Sequence, residues 1–173
     1  MSRINDDIKG LSEQEVRVLA DLEFREKRFF TRDDVKHHFD SESKVSYFIH
    51  RLKTKKRIIK LNRNKYYFVP FQSRTGRWSE EAFIIADEMM NGKNYYLGGW
   101  TSAYYWKLTD QIPIKIEIYT NKRGGFAKIL TETFLFKKTT QKRIEEAMTK
   151  KVKGHSFRIL SKRESEKWLK SKN

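Results

Sequence analysis

The chain has 173 residues, enough for one large domain or two small ones. With 38% apolar residues, 14% aromatics, 2 prolines, 8 glycines and no low-complexity tract, it has the means to fill a core and is not a disordered polymer. Lys and Arg number 38 against 22 acids, a formal charge of +16 that repels itself in the compact state and draws polyanions.

The N-terminal segment carries three successive helix signatures. Leu11-Ser12-Glu13-Gln14-Glu15-Val16 is a capping box, with Ser12 as N-cap, Glu15 three residues on, and Leu11 and Val16 placed as a staple. Val16, Leu19 and Ala20, with Val18 and Leu22 beside them, continue an apolar face to about Arg25. The arrangement repeats with Thr31 as cap, Asp34 in the third place and Phe30 with Val35 as staple, predicting a second helix to about Phe39. A third helix starts near Ser41 or Ser43. Its Val45, Phe48, Ile49 and Leu52 form a core stripe, and Ser43, Ser46, Tyr47, His50, Arg51 and Thr54 lie on the opposite face. Arg57–Leu61 and Lys65–Val69 then read as a β-hairpin, on the ground that the Asn62-Arg63-Asn64 connection tolerates a left-handed turn; Pro70 ends the sheet. Helix, helix, helix, hairpin is the order of a winged helix-turn-helix, expected over residues 1–72.

A boundary falls at Phe71–Gly76, and residues 73–173 are expected to form a small mixed α/β domain, so the class is α+β. There Ser79 caps a helix, stapled by Trp78 and Phe83, that ends near Gly92. Asn94–Leu97 is extended, Gly98-Gly99 breaks the chain, and Trp100–Leu108 is a short aromatic helix. Ile114, Ile116 and Ile118 alternate with Lys115, Glu117 and Tyr119 as a half-buried strand. Phe134 and Phe136 mark another strand, Ile144, Ala147 and Met148 a helix, His155–Leu160 a third strand, and Ser161 with Glu164 caps a last helix reaching Trp168.

From Ser41 to Lys65 nine basic residues face one acid, Glu42. This run coincides with the third helix and the hairpin, the parts of a winged helix that meet duplex DNA. Ser46, Tyr47, His50 and Arg51 are the candidates for base edges, with Arg51 suited to a bidentate contact to guanine. Lys44, Lys53, Lys55, Lys56, Arg63 and Lys65 are the candidates for backbone phosphates. A second basic surface is expected around Lys122, Arg123, Lys137 and Lys138, with simple solubility as the alternative. An anionic membrane is the rival polyanion, but the chain contains no apolar run of 18 residues, and no membrane partner is expected. Met1–Gly10 lacks the apolar centre of a signal peptide, and the default expectation is the cytoplasm; the absence of cysteine excludes disulfides and thiolate sites but leaves the redox compartment undecided.

From Tyr95-Tyr96-Leu97-Gly98-Gly99-Trp100-Thr101-Ser102-Ala103 through Leu108-Thr109-Asp110-Gln111-Ile112-Pro113 to the basic turn at Arg123, the sequence resembles the AbiEi-type antitoxins and related transcriptional regulators of type IV toxin–antitoxin systems. The resemblance implies a winged helix ahead of such a domain and autorepression through operator repeats in double-stranded DNA. It further implies neutralisation of a nucleotidyltransferase-like toxin without stable contact. The residues themselves give the motif a structural role: the glycines permit a tight turn, while Trp100, Tyr104 and Tyr105 pack.

Enzyme readings find little support. Asp110 and Glu117 suggest a metal-dependent nuclease, the alternative function, but Tyr119 stands where that chemistry wants a lysine. His37, His38, His50 and His155 show no i, i+4 pairing, and Asp34 with His38 reads as a surface pair rather than as metal ligands. Gly98-Gly99 lacks the lysine of a phosphate-binding loop. The expectation is no catalytic residue, no metal and no cofactor.

Overall fold

A computed structural model describes residues 10–69 and 82–172 of the chain. The fold is α+β, in two compact units, Met1–Trp78 and Ser79–Asn173. The expected boundary segment Phe71–Gly76 and the cap and staple at Ser79 and Trp78 lie outside the described residues.

The first unit opens with helix α1 (Glu13–Phe24), whose capping box forms in full: the Ser12 hydroxyl accepts from the Glu15 amide and the Glu15 carboxylate accepts from the Ser12 amide. Strand β1 (Phe29–Thr31) follows, then a short 3-10 helix (Lys36–His38) and helix α2 (Glu42–Thr54), capped by Ser41. Strands β2 (Ile58–Lys60) and β3 (Lys65–Phe68) close an antiparallel sheet of order β1-β3-β2. Val45, Phe48, Ile49 and Leu52 bury the inner stripe of α2 against Val18, Leu19 and Leu22 of α1 and Phe30 of β1. That stripe decides which face of α2 looks outward.

Two local expectations fail here for identifiable reasons. No second α-helix forms over Thr31–Phe39. Thr31 is taken into the sheet opposite Lys65, and the Asp34 carboxylate turns back to accept from the Thr31 amide and hydroxyl, reversing the expected cap. The residues that remain close i to i+3 bonds, Val35 to Arg32 and His38 to Val35, giving a tighter turn. In the hairpin neither asparagine is left-handed. The Asn62 side-chain oxygen instead accepts from the amides of Asn64 and Lys65, each at 3.0 Å, an Asx turn that reverses the chain without positive φ.

Helices α1 and α2 end alike. Glu26 and Lys56 sit at φ 52° and 57°, with the next amide (Lys27, Arg57) bonded back to the Leu22 or Leu52 carbonyl, a Schellman closure in which a non-glycine residue occupies the left-handed position.

The second unit is a mixed six-stranded sheet of order β6-β7-β5-β4-β9-β8. Its elements are α3 (Ala82–Met90), β4 (Tyr95–Leu97), α4 (Gly99–Tyr105), β5 (Ile116–Thr120), β6 (Gly125–Ile129), β7 (Glu132–Lys138), α5 (Gln141–Glu145), β8 (Met148–Val152), β9 (His155–Ile159) and α6 (Lys162–Lys170). Two pairings are parallel, β5 with β7 and β4 with β9. Helix α4 packs on α6, joined by a buried hydroxyl pair, Ser165 to Ser102 at 3.0 Å. Three expectations shift. Ile114 lies before the strand and is exposed; Glu117 is only 6% exposed, because the turn into α4 covers that face; and Met148 begins a strand rather than extending a helix. Strands β6 and β8 are additions to the elements expected from sequence.

The Gly98-Gly99 turn is fixed by that buried acid. Gly99 has φ +59°, and a Cβ there would lie 2.7 Å from Cδ of Glu117. We expect Gly99→Ala to cost about 3 kcal/mol or more, on the order of 10 °C in Tm by calorimetry, since it adds both a clash and a strained backbone. Glu26→Gly should act in the opposite sense. It relieves the left-handed strain and removes an acid from the negative end of α1, raising stability by about 0.5–1 kcal/mol in urea unfolding.

Candidate nucleic-acid interface

Ser43, Ser46, Tyr47, His50, Lys53 and Thr54 project from α2 away from the core and are exposed, Tyr47 to 62%. Lys56 follows in the left-handed closing position, and Arg63 with Asn64 forms the exposed tip of the β2–β3 turn. The structure therefore leaves Tyr47, His50, Lys53, Lys56 and Arg63 on the surface. Lys53, Lys56, Lys60 and Arg63 have no acidic partner among the described residues. Lys65 is half-buried in β3.

Other candidates are engaged from within. Arg51 Nε lies 3.1 Å from Glu15 Oε1, and its Nη1 donates to the Tyr47 hydroxyl at 3.1 Å, with the guanidinium 5.6 Å from the Tyr47 ring centre. Nη2 is the nitrogen outside these contacts, so the fork expected for guanine is partly committed to the protein. Lys55 Nζ lies 2.6 Å from Glu15 Oε2. Ser46 accepts from Arg32, which also meets Glu42 at 3.2 Å, and Lys44 pairs with Asp40 at 2.7 Å. These last pairs are exposed and weak enough to exchange for phosphate.

Glu15 is thus the buried partner of two of the candidate cations. It is 3% exposed, and its carboxylate serves the cap of α1 and two cations of α2 together. Burial alone raises its pKa. The Lys55 and Ser12 hydrogen bonds, with the charges of Lys55 and Arg51, outweigh that and hold it below the ordinary 4.5. The capping pattern identified Glu15 in sequence but gave no sign of its second duty, because Arg51 and Lys55 lie far along the chain. Arg32 was likewise missed, standing outside the dense basic run.

In the second unit the basic residues are dispersed in role. Lys137 lies 3.0 Å from Glu117 and over the Tyr119 ring, and Arg123 stacks 3.8 Å from the centre of the Phe136 ring. Lys122 and Lys138 are exposed. Glu117 also accepts from the Tyr119 hydroxyl at 3.3 Å and abuts Gly99, so its carboxylate is enclosed by its own fold, while Asp110 is exposed. No helix among the described residues is long and apolar enough to cross a membrane.

The lowered pKa of Glu15 sets a sign. Its stabilising contribution is complete above its unfolded value, near 4.5, and is lost as pH falls through the lower folded value. Glu15→Gln keeps a residue competent for the capping box but removes the charge. We expect a loss of about 1–3 kcal/mol at neutral pH and a shallower fall of the urea midpoint between about pH 5 and about pH 3. An acid limb identical to that of the parent chain would show that Glu15 is not its source.

No protein-family model matches the chain, and no curated protein matches it in sequence.

Proposed function

We propose that the first unit is a winged helix-turn-helix and that the chain is a sequence-specific, DNA-binding transcriptional regulator with no catalytic role. The observation that carries this reading is the outer face of α2. Tyr47, His50 and Lys53 stand exposed on a helix whose opposite stripe is locked into the core, with Lys56 and Arg63 unpaired at its end and at the hairpin tip. The order helix, strand, tight turn, helix, hairpin, with the sheet β1-β3-β2, supports it. So does the composition of the outer face, since a major groove accepts small-polar, aromatic and cationic side chains.

In this reading α2 lies in the major groove. Tyr47 and His50 meet base edges directly, and Arg51 reaches them through Nη2 while Glu15 and Tyr47 hold its orientation. Lys53, Lys56 and Arg63 meet phosphates, and Lys44 and Lys55 join them by exchanging their carboxylate partners. The resemblance of Tyr95–Arg123 to AbiEi-type antitoxins supports a narrower assignment. The chain represses its own operon through operator repeats and counters a nucleotidyltransferase-like toxin without forming a stable complex.

The test is binding to duplex DNA from upstream of its own gene, against random duplex of equal length. With about six phosphates neutralised, log Kobs against log salt should have a slope of about −5. His50→Ala should cost about 1–3 kcal/mol on the upstream DNA and little on random DNA. Lys56→Ala should weaken both equally and flatten the slope by about one. Equal affinity of the parent chain for the two duplexes would remove the sequence-specific reading.

A further inference from the structure

Away from the outer face of α2, two imidazoles and a carboxylate converge where α1 ends. Asp21 lies in the last turn of α1, and the adjacent His37 and His38 lie in the 3-10 helix. His38 Nε2 is 2.8 Å from Asp21 Oδ2, and His37 Nε2 is 3.7 Å from the same oxygen. The two rings are 4.1 Å apart. One donor atom from each residue falls within 4.8 Å of the other two, a grouping of His and acid side chains found nowhere else among the described residues.

The convergence is more than hydrogen bonding requires. Asp21 is already satisfied by His38 and by Arg25, which donates to the same oxygen. At 3.7 Å His37 is too distant for a hydrogen bond to it, yet its Nε2 lies within ion-pair range of that oxygen. Donor atoms sharing one tetrahedral ion at 2.0–2.2 Å lie roughly 3.4 Å from each other, and the two observed separations straddle that spacing. Two nitrogens and one oxygen suit a borderline first-row divalent ion, whereas magnesium and calcium require an oxygen shell.

We infer that Asp21, His37 and His38 form a three-ligand site for a divalent transition-metal ion of the Zn2+ class, with the remaining coordination position open to solvent. The sequence expectation of no metal rested on i, i+4 spacing. Here the tight turn brings neighbouring histidines to one carboxylate from a different element. Arg25 is the resident competitor, and it has other acceptors in the carbonyls of Asp34 and Asp21, at 3.3 and 3.4 Å. A bound ion would tie the end of α1 to the segment leading into α2, where Phe39 packs 5.1 Å from Phe48, ring centre to ring centre. The inference does not depend on the DNA reading, and its test contains no DNA.

The experiment is calorimetric titration of the untagged, chelator-stripped full chain with ZnCl2, alongside thermal melts. The expected result is one ion per chain and a Tm rise on the order of 5–10 °C at about a hundredfold excess over Kd. His37→Ala removes an exposed side chain outside the core and should leave the metal-free melt unchanged while weakening Zn2+ by about tenfold or more. His155→Ala removes the histidine paired with Asp87 in the second unit and should leave Zn2+ affinity intact. A stoichiometry far below one, or an affinity indifferent to His37→Ala, would overturn the site.

Discussion

A single buried carboxylate organises the first unit. Glu15 closes the capping box of α1 and at the same time receives Arg51 and Lys55 from α2, so one side chain fixes where α1 begins and how α2 lies beside it. Taking a charge out of water is costly, and here the cost is offset by hydrogen bonds from the Ser12 amide and Lys55 and by the charge of Arg51. The arrangement specifies register as much as it stabilises. Removing either cation would leave part of the buried charge without its partner.

The same contact changes how the basic run should be understood. Counted along the chain, Ser41 to Lys65 is a dense block of positive charge. In three dimensions part of it is spent on Glu15, which Arg51 and Lys55 neutralise, and Lys44 is paired with Asp40. Lys53, Lys56, Lys60 and Arg63 remain exposed, with no acidic partner among the described residues. The exposed ring of Tyr47 has its hydroxyl bonded by the arginine one turn on.

What was legible in the sequence follows the range of the interactions involved. The Ser12 and Ser161 caps, the buried stripe of α2, and the hairpin strands depend on residues within a few positions of each other, and all form. The expected helix at Thr31 failed because a distant partner, Lys65, claimed the capping residue for the sheet. The strand around Glu117 seemed half-exposed because alternation cannot reveal that the Gly98-Gly99 turn folds over its polar face. For the candidate site, the outward residues of α2 could be chosen from periodicity alone. Their internal partners Glu15 and Arg32, and the meeting of Asp21 with the two histidines, arise from contacts between elements that no local pattern records.

The six-stranded sheet ends in β6 and β8, each leaving one row of backbone groups without a neighbouring strand among the described residues. Such rims invite another chain to zip on, and proteins that persist at high concentration discourage it with charge. Lys128 sits in one of these strands, and Lys150 and Lys151 sit in the other. Any incoming strand would have to strip water from ammonium groups and tolerate their repulsion. Part of the positive charge in this half of the molecule therefore has a use in the fold itself, that of making these two outer strands poor templates for a further strand.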